Sequence, residues 1–226
     1  MAQENTPEEI KDQIISSMGP DFGSLFYEFR NEILTITYMW DEYEELYGTK
    51  ESRIDILNES APTFFYLVEK VMRENILLGI TRLTDPPVMN GKKNVSINAI
   101  PDFLNDTDLK SQINKKLKIL KSSTQFCRDW RNRHIAHTDY NLRIDSQAKP
   151  LEASTRKKIK QALDEIQNVF NVISSKFINT TYMFDALRSR DGALDLLYTL
   201  EGGLMYENEC KEKGLRYVDQ KWQSRI

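Results

Sequence analysis

The chain has 226 residues, 40 % of them hydrophobic and 29 % charged, with a formal charge of −3. That balance supports a buried core, and its sign argues against a general nucleic-acid coat while leaving room for a local basic surface. Nine Gly and seven Pro are too few for the many turns of a β-sandwich or barrel, so long helices are expected. The densest apolar run, Ile76 to Ile80, falls far short of a bilayer span, and Met1 to Ile10 does not have the pattern of a signal peptide. Cys127 and Cys210 have no paired spacing and read as reduced thiols of a cytoplasmic protein.

In chain order, Glu8 to Met18 has the pattern of a short amphipathic helix ended by Gly19-Pro20. Asp21 or Ser24 is then placed to cap a long helix through Phe22, Phe26, Phe29, Ile33, Ile36 and Tyr43, stopped by Gly48. A short piece around Arg53 to Leu57 follows. Ser60 with Pro62 opens another long helix through Phe64, Leu67, Val71, Ile76 and Leu83, which Asp85-Pro86-Pro87 ends. Val88 to Asn98 contains Asn90-Gly91 and reads as a loop or tight turn.

Asp106 or Thr107 caps a third long helix, predicted to run through Leu109, Ile113, Leu117, Leu120, Phe126 and Trp130. A polar stretch from Thr138 to Pro150 leads to Ser154, a good cap for a helix through Ile159, Leu163, Ile166, Phe170 and Phe177. A last helix spans about Asp191 to Lys213 and closes at Gly214. The fold class expected is all-α: an antiparallel bundle with extra helices at its ends. The divisions expected are an N-terminal extension at 1–20, a bundle at 21–183 and a helical appendage packed on it at 184–226.

The chemistry concentrates at the end of the third helix. Both histidines of the chain, His134 and His137, lie there, with Arg128, Arg131 and Arg133 around them. Imidazole exchanges protons near neutrality, and guanidinium offers a charged planar fork to phosphate oxygens. Together they can cleave RNA without a metal, imidazole taking the 2′-hydroxyl proton and guanidinium stabilising the phosphorane-like transition state.

Two overlapping pairs, Arg131 with His137 and Arg128 with His134, have the same six-residue separation. On a straight helix that separation turns through about 600° and rises about 9 Å, so neither pair shares a face. Either the helix ends or bends near Ile135, or two copies of the motif face each other in a dimer. Upstream, Lys110, Lys115, Lys116, Lys118 and Lys121 extend a basic stretch that suits an RNA backbone as well as it suits plain solvent. Arg82 and Asp85, beside the stop of the second long helix, read as a local ion pair or cap. No Gly-rich phosphate loop and no metal-binding His or Cys spacing is visible in the sequence, and no cofactor is expected.

The string Arg131-Asn132, then Ala136-His137, late in a helix of an all-α domain, resembles the Arg-x(4–6)-His motif of the HEPN superfamily. It is most similar to that superfamily's bacterial abortive-infection, U-like branch. The resemblance implies a HEPN-like bundle and a metal-independent endoribonuclease leaving 2′,3′-cyclic phosphates. It also implies a homodimer with a composite site, acting in phage defence or with an antitoxin. Arg131, His137 and Asn132 are then the catalytic candidates, preferred over the Arg128–His134 pair because Ala136 supplies the small residue before the histidine. Arg128, Arg133, His134 and Lys121 are candidate RNA contacts. The competing expectation is a non-catalytic helical module that binds RNA, a nucleotide or a protein and keeps a degenerate motif. The segment from Asp85 to Asp102 is not explained by the motif.

Overall fold

A computed structural model describes residues 6–184 and 191–214. Residues 1–5 of the expected N-terminal extension, and 185–190 and 215–226 of the expected appendage, lie outside the described residues. Among the described residues the chain is all-α apart from one two-stranded hairpin. It divides into two compact units, residues 1–39 with 74–187, and residues 40–73 with 188–226.

Helix α1 spans Pro7–Met18, and Thr6 and Glu9 form a reciprocal capping box at its start. Helix α2 (Pro20–Tyr47) follows after a single residue. Neither expected cap is used there: Pro20 is already helical, Asp21 lies in the first turn, and the Ser24 hydroxyl donates to the Pro20 carbonyl one turn back. A proline's fixed φ and missing N–H suit the first helical position, so the helix starts earlier than a side-chain cap would place it. The same correction holds for α4 (Pro62–Thr84): it starts at its proline, while Ser60 closes α3 (Glu51–Ser60).

Beyond α4, strands β1 (Val88–Met89) and β2 (Lys92–Lys93) pair antiparallel around Asn90-Gly91. Asn90 and Gly91 have φ of 52° and 76°, the left-handed conformation of a primed hairpin turn, which explains that dipeptide. A 3-10 helix (Ile97–Phe103) leads to α5 (Thr107–Ser123), capped by Asp106 through the N–H groups of Asp108 and Leu109. The expected third long helix is broken here. Thr124 (φ −103°, ψ 1°) leaves the α region, its hydroxyl donating to Leu120 O at 2.8 Å, and α6 (Gln125–Trp130) follows as a separate helix.

A π turn (Arg131–Ile135), the short α7 (Tyr140–Ile144) and the long α8 (Arg156–Ile178) complete the first unit. The cap of α8 is Thr155, which accepts from Lys158 N–H, and not Ser154. α8 packs against α5 and α1. The core of this unit joins Phe26, Phe29 and Ile33 of α2, Ile76 and Ile80 of α4, Ile113 and Leu120 of α5, and Ile166, Phe170 and Ile173 of α8. Phe26 lies flat on Phe170 with centroids 4.3 Å apart. A Cβ added at Gly79 would meet the Ile36 side chain at 2.8 Å, so α2 and α4 approach closely because that position has no side chain.

In the second unit, α3 packs on α9 (Ala193–Glu212). Leu46, Leu57, Phe65, Ala193 and Leu197 make its core. Tyr47 donates to Phe65 O at 2.9 Å, and burial together with nearby Glu69 pushes its hydroxyl pKa up to about 12. No side chain caps α9 from its own preceding residue; the Glu42 carboxylate accepts the Ala193 N–H instead. Among the described residues no helix is long and apolar enough to cross a membrane.

Candidate functional site

All candidate residues fall in the first unit, where two chain stops meet. The first is the end of α4. Pro86 and Pro87 forbid further helix, and the last carbonyls of α4 would be left without partners. Side chains from farther along supply them. Asn98 Nδ2 donates to Thr84 O at 2.8 Å and to Asp85 O at 3.2 Å. The Ser96 hydroxyl donates to Asp85 O, and Arg128 donates to Thr84 O at 2.9 Å. The hairpin turns the chain back so that Ser96 and Asn98 reach these groups. Asp85 is thereby fixed and buried, with 7 % of its surface exposed.

The second stop is the end of α6. Phe126 and Cys127 are fully buried and anchor this short helix, on which Arg128 faces Asp85. Burial raises the Cys127 thiol far above its ordinary pKa, which keeps it a neutral packing group. Arg131 Nη2 lies 3.2 Å and Arg128 Nη2 3.5 Å from the same carboxylate oxygen, Asp85 Oδ1. Two guanidinium groups on one carboxylate leave a formal excess of one positive charge. The Arg131 Nε is buried without a hydrogen-bond partner.

From Arg131 the helix widens. Ala136 N–H reaches the Arg131 carbonyl at 2.9 Å and Asp139 N–H reaches the Arg133 carbonyl at 3.2 Å, after which the regular backbone ends. Single π turns of this kind are rare and recur at functional sites. His137 sits in the bend beyond, so the straight-helix geometry that separated it from Arg131 does not apply. His137 and Asn132 are exposed, and neither makes a hydrogen bond or ion pair among the described residues.

His134 has a different setting. Its Nε2 lies 3.3 Å from Glu74 Oε1 on α4, and its ring meets Trp130 edge-on at 5.3 Å. Arg133 is held by Asp129 at 3.4 Å, by Asp139 at 3.6 Å and by the Lys149 carbonyl at 2.5 Å. Asp129 also accepts Glu152 N–H, and Trp130 Nε1 donates to Glu152 O at 2.7 Å. Residues 139–152 are thus tied over the motif helix as a strap. Lys121, in the last turn of α5, is exposed.

Two sequence expectations change. The local Arg82–Asp85 pair is not formed: Arg82 points outward to Glu32 at 3.6 Å, while Asp85 turns inward to Arg128 of α6 and Arg131 of the π turn. Trp130, expected at an apolar position of the third long helix, is only half-buried and donates its Nε1–H to Glu152 O. The partners sequence reasoning missed are Asp85 and Glu74. Asp85 carried a signal, an acid directly before two prolines at a helix stop; Glu74 is one acid among many on its helix and carried none. Among the described residues no group of three His, Cys, Asp or Glu is placed to hold a metal ion.

The HEPN_AbiU2 family model (AbiU2) matches residues 19–196, well over half the chain. The chain belongs to the HEPN AbiU2 family. No curated protein and no solved structure matches it. HEPN membership points to an RNA-related function, and the all-α bundle is the architecture this membership calls for.

Proposed function

We propose that this HEPN AbiU2 protein is a metal-independent endoribonuclease, a toxin or phage-defence effector that cuts single-stranded or structured RNA such as tRNA or mRNA. The observation that carries the reading is the end of α6. Arg131 opens a π turn with its guanidinium held on Asp85, and His137 stands exposed past the turn with no protein partner among the described residues. A side chain that must meet a substrate has to be free to do so, and His134, occupied by Glu74 and Trp130, is less so.

In the reaction, His137 takes the proton of a 2′-hydroxyl and the 2′-oxygen attacks the adjacent phosphorus. The bond to the 5′-oxygen breaks, and that oxygen leaves with a proton from water. Arg131 balances the charge that gathers on the phosphoryl oxygens, and Asn132 supports it. The products are a 2′,3′-cyclic phosphate and a 5′-hydroxyl. Lys121, with Arg128, Arg133 and His134, makes the basic surroundings of the RNA backbone. We propose a cytoplasmic homodimer in which two copies of the motif complete the site, with an antitoxin protein as a further partner.

Purified protein incubated with total RNA in EDTA tests this, beside Arg131→Ala and His137→Ala. Cleavage by the wild type that both substitutions abolish is the expected result; RNA binding with no cleavage by the wild type would sink it. One observation favours a second reading, a binding module with a degenerate motif. Arg128, Arg131 and His134 all spend part of their hydrogen-bonding capacity on Asp85 and Glu74.

A further inference from the structure

We infer that Asp85 is the positioning residue of the site: its buried carboxylate sets the guanidinium of Arg131, and with it Arg128, in the place where a phosphate is met. The inference rests on the reading of Arg131 as the residue that faces the scissile phosphate. It also accounts for the segment between Asp85 and Asp102 that the motif leaves unexplained.

An arginine side chain is long and freely rotating, so an unrestrained guanidinium spends little of its time in any one productive orientation. Here one carboxylate oxygen holds Arg131 at 3.2 Å and Arg128 at 3.5 Å. The carboxylate can do so because its own backbone is fixed. The Asp85 carbonyl accepts from Ser96 and Asn98, and the neighbouring Thr84 carbonyl accepts from Asn98 and from Arg128. Ser96 is buried, and the hairpin between it and the two prolines provides the reversal that brings it back.

A purely structural ion pair would need one arginine for one carboxylate. The second arginine leaves the pair net positive, so the cluster is built to hold its cations in place without cancelling their charge. Asp85 thus acts through Arg131 and need not touch RNA.

The test compares wild type, Asp85→Asn, Arg131→Ala and the double variant in steady-state cleavage of an RNA oligonucleotide. Asn keeps the shape and one acceptor oxygen but removes the charge. The expected result is kcat lower by roughly ten- to a hundredfold with KM within about twofold, and a double variant no slower than Arg131→Ala alone. Wild-type kcat in Asp85→Asn, or losses that multiply in the double variant, would overturn the inference. If Asp85→Asn does not fold, Asp85→Glu carries the same comparison, moving the charge outward by one methylene; unchanged kcat again overturns it. A second readout does not depend on cleavage. In spectra of arginine-labelled protein, the Arg131 Nε–H resonance is expected to be sharp in the wild type and broadened in the Asp85 variant. Should the wild type cleave nothing, the ribonuclease reading falls, and this resonance still decides for or against Asp85.

Discussion

At the scale of single residues, the two histidines have unlike surroundings, and that difference sets their expected phenotypes. His137→Ala should lower kcat by about 10²- to 10⁴-fold, the usual contribution of a general base, with little change in stability. His134→Ala should keep cleavage within about tenfold and cost roughly 1 kcal/mol of stability, through loss of its contacts with Glu74 and Trp130. Cleavage assays and urea unfolding of both variants check this; the reverse order would assign the base to His134 with Glu74 beside it. Cys127 gives a stability prediction free of any assumption about function. It is wholly buried, so Cys127→Ser should cost about 1–3 kcal/mol by urea unfolding, because the hydroxyl meets no solvent. Its thiol, raised by burial, should resist alkylation until the chain unfolds.

Among the elements, the break at Thr124 and the π turn divide what the apolar spacing predicts as one helix. The first separates α5 from α6, which carries Arg128; the second starts at Arg131 and ends the helix before His137. The strap at 139–152 is the element most open to perturbation, since Arg133 joins it to α6. Arg133→Ala should raise amide exchange across this strap while leaving α8 protected. Asp139 adds a pH dependence to the same element. Its pKa is lowered, first by the Leu142 N–H it accepts at the start of α7 and further by Arg133. A carboxylate with a lowered folded pKa stabilises above its unfolded value of about 3.9, and that support is lost as pH falls through the lowered one. Protection of the α7 amides, measured against their intrinsic exchange rates, should therefore fall below about pH 4, and Asp139→Asn should remove that dependence.

For the whole molecule, the proposed homodimer makes the strongest demand. If Arg131 of one chain works with His137 of the other, mixing Arg131→Ala and His137→Ala proteins should restore activity. Random pairing makes about half of the dimers mixed, each with one intact site of two, so roughly a quarter of wild-type activity is expected. A site contained in one chain gives none on mixing. Sedimentation analysis of the wild type supplies the accompanying mass.

The sequence alone determined the all-α class, most of the helices, the Asn90-Gly91 turn and the resemblance to HEPN proteins. These are local or periodic signals: apolar residues at helical spacing, prolines that remove donors, and a dipeptide suited to positive φ. It also singled out the cluster that holds both histidines and three arginines in ten positions, and the resemblance then favoured Arg131 with His137 within it. Helix starts were less legible, since prolines and side-chain caps compete for the same turns. Only tertiary structure decided that the helix breaks at Thr124 and widens at Arg131, and that Asp85 turns to arginines more than forty positions away instead of to Arg82. Those outcomes depend on burial and on which distant groups satisfy the stranded carbonyls of α4. No local pattern records such partners, because they are chosen by the packing of the whole unit.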